Sequence, residues 1–205
     1  MTYWDDLGWQ DPYARPLFDQ RQISYAQALP LASSDDETTL RGPYTPQMVV
    51  DGAVHFSGTL ADVAKEQIGL AKRTPTPIEL ELELGAPQAS ESGSTLDALV
   101  TSRMATDADF DTSTAKVALF AALAQRELTT EVPRGENAGT KLEEHWVVRD
   151  FQGPKLFRSE RETNETPFTL TVPADADPSQ FEVVVFAQEL ASMHIAAVTT
   201  AEVRG

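Results

Sequence analysis

Ile78, Leu80, Leu82 and Leu84 alternate without a break with Glu79, Glu81 and Glu83. A period of two sends one residue type to each face of an extended chain, so this segment predicts a strand with one buried and one wet face. Three like charges on the wet face call for water, not for a metal. A strand of this kind needs others, and β-like runs follow at 95–102, 116–122, 128–132, 141–151, 155–161, 168–172, 181–187 and 194–203. Punctuated by Gly and Pro turns, they predict an all-β sandwich. The stretch 115–125 is ambiguous, because its alanines also suit a helix, and 88–94 reads as a polar loop. Just before the alternation, Thr74-Pro75-Thr76-Pro77 cannot continue a helix and favours an extended linker, which sets a boundary between residues 1–75 and 76–205.

The first part has a different texture. An aromatic and acidic opening, Tyr3 to Asp11, leads to a predicted helix at 16–29, with Phe18, Tyr25, Ala26 and Leu29 on one face, Pro16 in its first turn and Pro30 as its stop. An acidic loop through Ser33, Ser34, Asp35, Asp36 and Glu37 follows. Tyr44 to Val50 reads as a short strand, and Asp51-Gly52 is a two-residue hairpin signal leading into Val54-His55-Phe56. A second helix is expected at 59–72, opened by a Thr59-x-x-Asp62 capping box.

Composition removes several functions. With 32 acidic against 16 basic residues the formal charge is −16, which repels the phosphate backbone of nucleic acid and an anionic membrane surface and serves solubility. No run of about 18 apolar residues exists to span a membrane. The first residues lack the basic start and apolar stretch of a secretory signal, so the chain as written is expected to stay in the cytoplasm. There is no cysteine, which excludes disulfides, thiolate metal sites and a cysteine nucleophile.

Four segments in collinear order carry a resemblance. They are Tyr3-Trp4-Asp5-Asp6-Leu7-Gly8-Trp9-Gln10-Asp11-Pro12; Arg21-Gln22 with Tyr25; Tyr44-Thr45-Pro46-Gln47-Met48-Val49-Val50-Asp51-Gly52; and Arg134-Gly135-Glu136-Asn137-Ala138-Gly139 with Val147-Val148-Arg149. Together they resemble the bacterial secreted-protein family catalogued as domain of unknown function 1223. The resemblance implies an α/β thioredoxin-like domain followed by an all-β, sandwich-like domain, and a secreted or periplasmic setting for a full-length product. It also implies a Cys-x-x-Cys segment at a helix N-terminus, where the helix dipole favours the thiolate. This sequence departs from that pattern: it starts at about the end of the second strand, so the thioredoxin-like domain is expected to lack its first strand and cysteine-bearing helix.

In such a fold the proline before the third strand is typically cis, which lets the preceding residue pair with an extended substrate. Pro46 is the candidate, with Thr45 offering backbone groups. Tyr3, Trp4, Asp5, Trp9, Tyr44, Thr45, Pro46 and Gln47 form the candidate substrate-binding cleft; aromatics in such positions also serve as core or interdomain packing. No catalytic residue, metal ligand or cofactor is assigned. Loss of a sheet neighbour predicts either a homodimer or docking of the β-rich part over the gap.

Other chemistry is weakly supported. Asp107, Asp109 and Asp111 have calcium-loop spacing, but Thr112 replaces the glycine and Ala118 the bidentate glutamate, so a solvated turn is expected. His55, His145 and His194 are scattered singly, as hydrogen-bonded or surface histidines. No G-x-S-x-G or phosphate loop is present, and Asn164-Glu165-Thr166 is a bare sequon. Residues 134–139 predict a tight turn with Asn137 and Gly139 at positive φ. Two functions remain: a redox-inactive module that binds a protein or peptide, or a truncated periplasmic thiol-disulfide oxidoreductase whose Cys-x-x-Cys lies upstream of Met1.

Overall fold

The strict alternation at 78–84 becomes strand β3, Ile78–Leu84, with Ile78 buried, the other leucines partly buried and the glutamates exposed. The wet face is not left to water alone, because β3 pairs antiparallel with β5 (Gly93–Met104) in a register that sets Arg103 opposite Glu79. Its guanidinium lies 2.6 Å from Glu79 and 3.9 Å from Glu81. The computed structural model describes residues 1–32, 42–91, 93–106, 115–135 and 137–204. The acidic loop at 33–37, the calcium-like Asp107, Asp109, Asp111 and Thr112, and Glu136 lie outside the described residues.

Two sheets build the β-rich part. In one, β3 and the short β4 (Gln88–Ser90) pair with β5, whose other edge takes β8 (Asn164–Pro173). In the other the order is β10-β9-β6-β7, formed by Ile195–Glu202, Phe181–Glu189, Val117–Glu131 and Lys141–Leu156. One apolar core joins them, with Leu96, Val100, Phe168 and Leu170 from the first sheet and Leu119, Leu123, Phe181 and Val185 from the second. Burial of such side chains supplies the main driving force, at about 25 cal/mol per Å² of apolar area removed from water.

Several expectations are corrected. The stretch 88–94 is a hairpin rather than a loop, since Ser90 pairs with Gly93. The ambiguous 115–125 is strand from Val117, and it continues to Glu131 as one 15-residue β6. The run at 141–151 likewise continues as one strand, β7, to Leu156, absorbing register shifts against β6, so only the first two residues of the run expected at 155–161 are strand.

In the first part, a 3-10 helix spans Thr2–Leu7, and α1 spans Pro16–Ala28. The hairpin consists of β1 (Gln47–Val50) and β2 (Val54–Ser57). Asp51 and Gly52 both have positive φ, 48° and 59°, but Ala53 joins them in the loop because Val50 pairs with Val54. Helix α2 is Ala61–Ala71; the capping box does not form, because Leu60 rather than Thr59 occupies the N-cap and no side chain caps the helix. No helix among the described residues is long and apolar enough to cross a membrane.

The hairpin tip meets the β-rich part directly: the Ile195 N–H donates to the Asp51 carbonyl at 2.7 Å, and a Cβ on Gly52 would collide with the Met193 carbonyl. Only glycine satisfies both the positive φ and this approach. The β-rich part thus meets the hairpin at its tip.

Candidate functional site

The second contact between the two parts places a cation among rings. Arg21 on α1 lies 4.9 Å from the Phe120 ring centroid, 5.0 Å from Phe151, 5.4 Å from Tyr25 and 5.6 Å from Phe186. Its Nη2 donates to the Tyr25 hydroxyl at 2.8 Å and to Gln188 Oε1 at 2.9 Å. Gln188 is fully buried and returns Nε2 to the Tyr25 hydroxyl at 2.9 Å and to the Met193 carbonyl at 2.6 Å. Guanidinium faces attract ring quadrupoles, and the planar fork suits two acceptors at once. Since α1 has no fully buried residue, this cluster, with Phe18 edge-on to Phe151, is what fastens the helix to the β-sheet.

A second clamp lies beside it. Arg149 sits 4.9 Å from the Tyr13 ring, donates to the buried Gln125 and accepts, through its carbonyl, a hydrogen bond from Arg15. These contacts carry the N-terminal segment across to the turn between β6 and β7. There Gly8 and Gly135, with φ of 100° and 85°, come together: a Cβ on Gly8 would lie 3.2 Å from the Gly135 Cα. Among the described residues of this turn, Gly135 and Gly139 have positive φ, as expected for Gly139.

An open cleft of about 380 Å³ lies between the N-terminal segment and this turn. Four of the anticipated residues line it, Trp4, Asp5, Trp9 and Thr45, facing Arg134 and Asn137 from the β6–β7 turn. Its walls are mainly apolar, with Leu7 and Val132 beside the two indoles, while Asp5, Asp11 and Arg134 supply charge of both signs. A second cleft, also about 380 Å³, lies on the other side of Thr45, between Phe18, Arg21 and Tyr25 on α1 and Gln47 and Val49 on β1.

The remaining anticipated residues brace this wall rather than line the first cleft. The Tyr3 hydroxyl donates to Gln22 Oε1 at 2.7 Å, and Gln22 Nε2 donates to the Tyr44 carbonyl at 2.6 Å. Burial pushes the Tyr3 phenol above its ordinary pKa. Pro46 follows a cis peptide bond, as anticipated, and its carbonyl accepts from the Gly58 N–H at 2.8 Å; Gly153–Pro154 is also cis. Behind Tyr44, His55 is 3% exposed, with Nδ1 2.8 Å from the Tyr44 hydroxyl and 3.2 Å from Gln47 Nε2. Desolvation holds the imidazole pKa below its ordinary value, against a smaller opposing effect from the Leu29 backbone. Among the described residues no group of three or more His, Asp or Glu is placed to hold a metal.

Sequence reasoning missed Arg134, Asn137 and the Arg21 cluster. Arg134 belonged to a quoted motif but was read only as part of a turn. For Arg21 the available signal was its place on the α1 face between Phe18 and Tyr25, at the i, i+3 and i+4 spacing of helical neighbours.

Among solved structures, HBP35 of Porphyromonas gingivalis superposes with a TM-score of 0.60 at 12% identity, covering 91% of this chain and 70% of that one. That likeness supports the fold alone. A domain of the outer membrane lipoprotein Omp28 from Porphyromonas gingivalis has a TM-score of 0.41 at 9% identity, over 62% of this chain and 96% of that one, and carries no argument. No curated protein matches the chain. The family model described as "Protein of unknown function (DUF1223)" matches residues 1–188 of the 205, and the chain belongs to that family.

Proposed function

We propose that this chain is a redox-inactive binding module, built from an incomplete thioredoxin-like domain (residues 1–75) and a sandwich-like domain (76–205). In this reading the Thr45 cleft receives an extended peptide of a protein partner. The observation that carries it is the convergence of Trp4, Trp9 and Thr45 with Arg134, distant in sequence, on one apolar cleft with charges at its margin. Apolar clefts with a few placed polar groups are the usual form of a binding site, and indoles supply large contact area at small entropic cost. The family resemblance supports a secreted or periplasmic setting.

Panning a displayed library of random dodecapeptides on the immobilised chain tests this reading. Enriched peptides are expected to lose at least ten-fold in affinity on Trp9→Ala; enrichment that is indifferent to Trp9→Ala, or none, overturns it. With no thiol to cycle, the chain is expected to give no turnover in insulin reduction. A second reading, a longer thiol-disulfide oxidoreductase, draws on the same position of Thr45 at the cleft. A Cys-x-x-Cys codon run upstream of Met1 supports it, and an in-frame stop codon just before Met1 sinks it.

A further inference from the structure

Strands β3, β5 and β8 of the first sheet lie side by side, and their registers stack rows of outward side chains. Glu81, Thr101 and Glu165 form one row, Glu83, Leu99 and Pro167 the next, and Asp97 with Thr169 the one after. The residues between them, Leu80, Leu82, Ala98, Val100, Phe168 and Leu170, belong to the apolar core or pack against it. Because side chains alternate along a strand, the rows point away from that core. Glu81, Glu83, Asp97, Glu165, Pro167 and Thr169 are exposed, and Leu99 is half-buried. Helix α1 lies against Phe120, Phe151 and Phe186 of the second sheet, so this face is on the far side of the sandwich from it.

The face has an apolar centre and an acidic surround. Leu99 and Pro167 border an open groove of about 470 Å³ that reaches Phe168, and Glu83 and Asp97 line the same groove. Two cations approach this face, and both are engaged. Arg103 pairs with Glu79 and Glu81, while Lys155 donates to the Pro167 carbonyl and lies 4.5 Å from the Phe168 ring centroid. Asp97 accepts from the Thr169 hydroxyl at 2.9 Å. Glu83, Asp97 and Glu165 make no ion pair among the described residues.

An apolar patch rimmed by polar groups has the anatomy of a protein interface. A metal ion does not suit it, since no three acidic or histidine groups among the described residues are placed to hold one. A second copy would set the same carboxylates against these, in a chain of formal charge −16. A basic protein segment complements both the centre and the rim. Row spacing sets its pattern, because alternate residues of a strand lie about 6.7 Å apart. Asp97 and Glu165 stand one such step to either side of the Leu99 row, and an extended segment running along the strands repeats that step at every second side chain.

We propose that the outer face of β3, β5 and β8 docks an extended protein segment of the pattern basic-x-apolar-x-basic. Its apolar side chain lies against Leu99 and Pro167, and its cations pair with Asp97 on one side and Glu165 on the other, with Glu83 beside them. The site is separate from the Thr45 cleft and stands or falls without it.

NMR titration of the full-length chain with two capped heptapeptide pools tests the proposal. Both pools hold a central leucine, isoleucine or methionine, two lysines and four threonines. The lysines stand two positions from the centre in one pool and one position from it in the other, which turns them to the opposite face at equal charge. The first pool is expected to bind at least five-fold more tightly and to shift resonances at Asp97, Leu99 and Glu165. Replacing Glu83→Gln, Asp97→Asn and Glu165→Gln together should weaken it at least ten-fold. Glu127→Gln, Glu131→Gln and Glu143→Gln together remove the same charge from exposed positions elsewhere and should change it less than about two-fold. Equal binding of the two pools, or equal loss in the two triple variants, identifies adsorption by net charge alone and overturns the proposal. Shifts confined to residues outside this face, or no binding by either pool, overturn it as well. A dimeric mass with Leu99 shielded in the free chain would assign the face to a second copy, against the proposal.

Discussion

Replacing Arg21 by Met keeps the length of the side chain and removes the cation from its aromatic surroundings. A cation–π contact contributes about 0.5–2 kcal/mol between exposed and desolvated settings, and the half-buried Arg21 meets four rings at once. Gln188 Oε1 loses its donor inside a fully buried environment, and an unsatisfied buried acceptor costs about 1–3 kcal/mol. Tyr25 is less affected, because Gln188 Nε2 still donates to its hydroxyl. The methionine recovers part of the loss through apolar contact with the same rings, leaving an expected destabilisation of about 3 kcal/mol. For a chain of this size that corresponds to a fall in Tm of about 6–12 °C by calorimetry. Arg21→Lys retains charge but can satisfy only one acceptor in that geometry, so its loss should be about half as large. If Arg21→Met stays within about 0.5 kcal/mol of the parent, as an ordinary surface change does, the cluster does not fasten α1 and the reasoning fails.

Gly52→Ala should destabilise by about 2–4 kcal/mol in urea titration, because a Cβ there meets the Met193 carbonyl at a positive-φ position; a neutral outcome would mean that the hairpin tip does not abut the β9–β10 turn. Arg103→Ala, by contrast, removes an exposed pairing with Glu79 and Glu81 and should cost less than about 1 kcal/mol. His55 titrates below its ordinary value in the folded chain, so the unfolded chain takes up the proton first as pH falls. The associated stability is intact above the unfolded value near pH 6.5 and declines as pH drops from there through the folded value. Urea midpoints at pH 8 and pH 5.5 should therefore differ more for the parent than for His55→Gln, and equal differences would contradict the buried neutral imidazole.

How much the sequence disclosed depended on whether a segment has one covered face or two. Strand β3 was legible because its outer face carries glutamates, giving a clean period of two. Strand β6 was not, because Leu119, Ala121 and Leu123 enter the shared core while Ala118, Phe120 and Ala122 are buried on the opposite face, beneath Arg21. A run buried on both sides shows no alternation and cannot be told from a buried helix by periodicity. The cap failed because α2 begins at Ala61 with Leu60 in the N-cap, one residue later than a Thr59 cap requires. Within the candidate site, the family-like segments pointed to Trp4, Asp5, Trp9 and Thr45. Arg134 stayed hidden because a turn motif predicts backbone shape but not the distant surface it faces. The Arg21 cluster joins residues of α1 to three strands, and no local pattern encodes that meeting.

Fluorescence offers the most direct test of the Thr45 cleft, because two of the three tryptophans, Trp4 and Trp9, line it. In a Trp146→Phe chain all indole emission comes from those two. Titration with a dodecapeptide enriched by panning is predicted to shift that emission to shorter wavelength and to shield it from acrylamide, with saturation at one peptide per chain. Saturable binding of the same peptide with no change in emission or quenching would place the peptide elsewhere and contradict the account.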